Sequence, residues 1–188
     1  MIQNQEQRHV HYDRDLELEA YQLSGIVQKF PNHFHECYVI GFVEGGKRHL
    51  WCKNQECDVS AGDLILFNPR DNHCCAPVDG QLLDYRAVNI QPEIMEKSVK
   101  EITGRSFRPY FTQNVVFRSD ITRSVAALYD AIKACVQTGK GGIPVFPSGT
   151  APAGICGTFQ RGNHFPAESP DTVAVHLYGG TFFRQPVP

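Results

Sequence analysis

His33 and His35 stand two residues apart, so on an extended strand their imidazoles share one face, and a returning strand can bring His73 across to meet them. Imidazole suits a divalent ion such as Fe, Mn, Ni or Zn, and a three-histidine site is chemically allowed. The preferred reading is different: the three histidines are the polar groups of a largely apolar small-molecule pocket, with no metal, His33, His35 and His73 being the ligand set if a metal binds. His49 and Trp51 alternate on a neighbouring strand and are expected to line the same cavity. Arg86 is the candidate partner for an anionic ligand, against the ordinary alternative of a solvated or paired surface charge. Cys52 and Cys57 with Cys74 and Cys75 lack the two-residue gap of a zinc knuckle and read as small buried side chains. No glycine-rich phosphate loop and no Gly-x-Ser-x-Gly elbow is present, and no catalytic residue is assigned.

Short strands must carry these side chains. Tyr21 to Gln28 alternates apolar and polar residues, and Pro31 and Asn32 punctuate it. Cys37 to Val43 is β-branched and aromatic, Glu44-Gly-Gly-Lys47 is a hairpin signal, and Arg48 to Cys52 is the return strand. Turns at 53–56 and 61–63 separate a short strand at 57–59 from Leu64 to Phe67; 73–77 and 82–90 supply two more strands. Strands at this spacing indicate a barrel or jelly roll. Pro92 opens a helix that ends at Gly104, Asn114 to Phe117 is a further strand, and Ser119 or Asp120 caps a helix with the stripe Ile121, Val125, Leu128, Ile132 and Cys135. Residues 1–20 are polar and aperiodic, an arm that orders only against the barrel. From Gly139 onward the chain is rich in Gly and Pro, and no helix can continue through it.

The chain of 188 residues has room for one core, and its formal net charge of −2 gives no basic footprint for nucleic acid. The apolar runs are strand-sized, so neither a membrane span nor a signal peptide is expected. Seven cysteines at irregular spacing argue against a secreted disulfide framework and for a reducing cytoplasm.

The block from Pro31 to Pro77, with His-x-His-x-x-Tyr-Val-Ile-Gly, a Gly-Gly hairpin, Ala-Gly-Asp-Leu-Ile-Leu-Phe-Asn-Pro and then His73, resembles the sensory cupin of the arabinose-regulator (AraC) family of bacterial transcription factors. The resemblance runs from about Tyr21 to Val136. It implies a mainly β fold, a cupin double-stranded β-helix or jelly roll, backed by one or two C-terminal α-helices used for dimerisation, followed here by an irregular tail. It also implies a small-molecule effector, a homodimer and no catalysis. The paired helix-turn-helix units with which the family binds DNA are not visible, so direct nucleic-acid binding by this chain is not expected. Cupin enzymes add a carboxylate to three histidines; the slots after His35 hold Val39 and Ile40, and Glu36 and Glu44 are not at the expected spacing.

The organisation expected is therefore an arm over 1–20, a sensory and dimerising cupin over 21–137, and a tail over 138–188. Shifted by one base, allowed codons for Gly139 to Cys156 give an amphipathic helix, and those for Leu177 to Pro188 resemble the approach to the family's first DNA-binding helix. The tail is accordingly expected to be out of frame, the alternative being a real segment that serves as a flexible tail or linker. The alternatives to an effector-binding module are a small metal-dependent cupin enzyme, a dioxygenase or isomerase, and a truncated product without function.

Overall fold

A computed structural model of the chain describes residues 6–137, 172–177 and 180–186. Two antiparallel sheets face each other as a double-stranded β-helix. The larger holds β1 (Gln7–Asp13), β2 (Leu18–Ile26), β9 (Leu83–Ile90), β4 (Tyr38–Gly45), β7 (Leu64–Phe67) and β11 (Val115–Val116), in that spatial order. The smaller runs β3 (Phe30–His33), β8 (His73–Pro77), β5 (Lys47–Cys52), β6 (Gln55–Ser60). Helices α1 (Pro92–Thr103) and α2 (Ile121–Gln137) follow the barrel strands.

β4 is buried on both faces, which is why it reads as a continuous apolar run. Val39 and Val43 point between the sheets, with Phe67, Leu83 and Tyr85. Tyr38 and Phe42 point the other way, against Leu64, Leu66, Met95 and Val125. A single residue, Gly46, joins β4 to β5 at φ 83, and a Cβ there would lie 1.7 Å from the Leu82 carbonyl oxygen, so only glycine closes this hairpin. Gly41 serves a different end: a Cβ on it would meet the Tyr85 hydroxyl at 2.0 Å, so its bareness is what lets that ring lie across β4 inside the barrel.

Several expectations need correction. The arm is a registered strand over Gln7–Asp13, paired with β2, which itself starts at Leu18 rather than Tyr21. Asp13 Oδ1 accepts the Asp15 and Leu16 amides at 2.9 and 3.0 Å, closing the turn between them. The apolar pattern missed this hairpin because its buried side chains include His11, Asp13 and Glu19. Pro31 punctuates no loop: it lies within β3, where the edge position of that strand spares it a ladder hydrogen bond. In the tail expected to be irregular, β12 (Thr172–Leu177) and β13 (Gly180–Pro186) form a hairpin that pairs with β10 (Tyr110–Phe111), following the alternating Thr-Val-Ala-Val-His-Leu of β12. The rest of the tail, 138–171, where most of the out-of-frame reading falls, lies outside the described residues. The helix stripe holds at Val125 and Ile132, but Cys135 is exposed and Tyr129 takes the fully buried position. Cys52, Cys57, Cys74 and Cys75 are free thiols, whereas Cys37 is disulfide-bonded.

Candidate functional site

Between the sheets lies a cavity of about 320 Å³. Its two ends are chemically different, and register decides which side chains reach each. β3 and β8 pair so that His33 stands directly opposite His73, and the loop after β3 carries His35 back to them. The ring centroids are 4.2 Å apart for His33 and His73, 5.1 Å for His33 and His35, and 5.2 Å for His35 and His73. One ring nitrogen of each lies within 4.8 Å of those of the other two. His73 also stacks on Phe67 at 3.7 Å.

The tautomers follow from the partners. His33 Nδ1 sits 2.7 Å from the Pro31 carbonyl and His73 Nδ1 2.8 Å from the Asp71 carbonyl. A carbonyl only accepts, so both Nδ1 atoms carry the proton and Nε2 is the basic nitrogen of each ring. Burial lowers the pKa of His33 and, with His33 beside it, takes His73 well below the ordinary histidine value. Neutral imidazoles with Nδ1–H anchored on carbonyls are the form in which histidine ligates metals. The cluster thus fits a divalent first-row transition ion through three nitrogens. Among the described residues no carboxylate joins the group, which keeps the departure from the three-histidine, one-carboxylate arrangement.

A carboxyl does line the same cavity. Glu19, on β2, takes the Asn89 side-chain amide on Oε1 at 2.6 Å, while its Oε2 and Asn89 Oδ1 are buried without partners. Burial raises the Glu19 pKa. A carboxyl whose folded pKa is raised contributes stability that is complete below its unfolded pKa and is lost as pH climbs through the folded value. Glu19→Gln is therefore expected to raise the melting temperature at pH 7 relative to the parent, with the gap closing as pH falls below the ordinary carboxylate range. Equal melting curves at both pH values would show that Glu19 carries no such penalty.

Of the residues expected in the pocket, the structure brings together His33, His35 and His73 and leaves the other three outside. His49 holds Asp58 at 2.6 Å on the outer face, Trp51 is 39% exposed and packs edge-on against His49, and Arg86 is tied to Glu44 at 2.8 Å and Asp130 at 3.1 Å beneath α2. The reason is phase. On β5 the buried positions are Arg48, Leu50 and Cys52, and on β9 they are Leu83, Tyr85, Ala87 and Asn89, with Val88 buried on the other face against α2; a shift of one residue reverses every side chain. Arg8, Arg48, Glu19 and Asn89 are charged or amide-bearing lining residues that sequence reasoning missed. The Leu50 and Cys52 alternation carried the signal for Arg48; Glu19 and Asn89 had none.

Residues 16–142, more than half of the chain, match the AraC-like ligand binding domain, and the chain belongs to that family. The uncharacterized HTH-type transcriptional regulator YbfI of Bacillus subtilis (strain 168) is 55% identical over 124 residues, which make up 66% of this chain and 45% of that regulator. The aligned region thus spans under half of the relative's length. Solved structures that the fold resembles include KdgF from Halomonas sp. (18% identity, TM-score 0.39, 48% of this chain and 84% of that one). A cupin superfamily protein from Desulfitobacterium hafniense is 13% identical, with TM-score 0.40, over 48% and 82% of the two chains. These likenesses are too loose to bear on function. Among the described residues no helix is long and apolar enough to cross a membrane.

Proposed function

We propose that this chain is the effector-sensing part of an AraC-type transcriptional regulator and that its effector, a small molecule, occupies the cavity between the two sheets. The observation that carries this reading is the cavity itself, apolar along its length with polar groups gathered at its ends, three of their atoms, Glu19 Oε2, Asn89 Oδ1 and Arg48 Nε, buried without partners. The family points to regulation rather than catalysis. An effector acts here by binding one arrangement of arm or helices better than another.

A divalent ion on His33, His35 and His73 belongs to the same reading: when bound it supplies a Lewis-acidic position at one end of the pocket. The protein's own residues do the rest, the Pro31 and Asp71 carbonyls fixing the rings and Phe67 fixing the plane of His73. Homodimerisation through the helices is part of the proposal, supported by the apolar Ile102 and Phe117, left 70% and 59% exposed beside them.

The test is a small-molecule screen by thermal unfolding, because a ligand of the folded state alone raises the melting temperature, by about 2.7 kcal/mol of stability at 100 times its Kd. At least one compound class is expected to give a concentration-dependent rise. A screen in which nothing binds speaks against the sensor reading, and sedimentation showing only monomer removes the dimer from it.

A further inference from the structure

Arg48 is the residue in this cavity whose chemistry the effector reading leaves unexplained. It lies on β5 and is 1% exposed, the largest fully buried side chain among the described residues. Its Nη1 donates to the Gln28 carbonyl at 3.1 Å and its Nη2 to the Ile26 carbonyl. Its Nε is buried with no partner. Among the described residues no carboxylate lies within ion-pair distance of it. Glu6 is felt only through space, and its carboxylate is engaged by the Val27 amide at 3.0 Å. A buried guanidinium with two carbonyls and no anion is a costly arrangement, because carbonyl dipoles solvate the charge without neutralising it.

Arg48 is also placed at the end of the cavity away from the histidines. Along β8, Arg48 pairs with Pro77 and Cys52 with His73, so the two levels are four residues apart, about 13 Å at roughly 3.3 Å per residue. The wall between them is apolar and aromatic, with Tyr21, Ile65 and Tyr85 from the larger sheet and Leu50 from the smaller. One buried positive charge calls for one negative charge, and the apolar wall calls for an uncharged body. The planar fork of arginine matches a carboxylate, and Nε–H is the donor left without a partner.

Resting on the effector reading above, we infer that the effector is a small monocarboxylate with an apolar body, its carboxylate bound to Arg48. Such a ligand supplies the missing counter-ion and a partner for Nε at once, and leaves the histidine end for whatever else it carries.

The experiment compares benzoate, phenylacetate and hexanoate with their primary amides, by calorimetry and thermal unfolding, on the full chain and on Arg48→Met. The acids are expected to bind the parent at least about tenfold more tightly than the amides, in keeping with the worth of a charge-assisted hydrogen bond. In Arg48→Met that preference is expected to vanish, while ligand-free melting shows whether the variant is folded. A purely structural role, in which Arg48 only ties down the carbonyls of Ile26 and Gln28, would change melting and leave the acid-to-amide ratio alone, and that result overturns the inference. If Arg48→Met does not fold, the acid-to-amide ratio of the parent decides by itself, equal binding being the overturning result. Amides binding as well as acids would sink the carboxylate but keep the cavity as a sensor; no binding of either kind, together with an empty wider screen, would sink both.

Discussion

Metal-free protein titrated with Zn²⁺ or Co²⁺ is expected to take up one ion per chain, and His35→Ala to weaken that uptake by at least about 100-fold, since losing even an outer partner of a ligand costs about 10–100-fold. The expectation rests on orientation more than on proximity. His33 and His73 each spend Nδ1–H on a carbonyl, at 2.7 and 2.8 Å, which turns both Nε2 atoms into bases held by the backbone of their own segments. Burial keeps both rings neutral, so little proton competition opposes the ion. His35 is the position to change, because it is only half-buried, whereas His73 is stacked on Phe67 and its loss would open a hole in the core. The Co²⁺ absorption spectrum reads the ligand set without reference to any activity. Uptake that stays weaker than micromolar in the parent, or is unchanged in His35→Ala, would return the three histidines to the role of plain pocket lining.

The spacing singled out the right three histidines, but the strand rule behind it holds only for His33, since His35 lies in the loop after β3; the turns around the cluster were legible. Glu44 to Lys47 closes the hairpin at Gly46, and helix α1 stops at Gly104, whose amide donates to the Lys100 carbonyl. What failed was anything decided at a distance. On β5 a large aromatic, Trp51, drew the inward assignment, yet the phase is set by packing against β8 and β6, and it puts a charged residue, Arg48, in the interior. β1 was missed for the same reason: His11 and Glu19 are buried against partners far along the chain, Tyr129 for His11 and Asn89 for Glu19, and no window of local alternation contains those pairings. Polar groups turned inward break the apolar pattern, and two of the residues misread for that reason, Arg48 and Glu19, line the cavity.

Tyr129→Ala is expected to cost about 3–5 kcal/mol, the range for removing a buried aromatic side chain, and to lower the melting temperature by about 10 °C in a chain of this size. Tyr129 is 1% exposed and joins α2 to the larger sheet. It packs with Ile132 against Ala20 and Val88, its hydroxyl donates to Gln22 Oε1 at 3.2 Å, and the Arg86 guanidinium sits 5.0 Å from its ring centre. These contacts meet β2 on the face opposite the cavity: Glu19 and Tyr21 line the cavity, while Ala20 and Gln22 meet the helix. Under the proposed effector reading, a displacement of β2 by a ligand is expected to reach α2 through Tyr129. Tyr129→Phe separates the two roles. It keeps the ring and loses only the hydroxyl bond, at about 1 kcal/mol, and amide exchange is expected to quicken in α2 while β4 and β9 hold their protection. Exchange that quickens equally in all three elements, or in none, would mean that Tyr129 is core like any other and that the helix is not coupled to the sheet at this point.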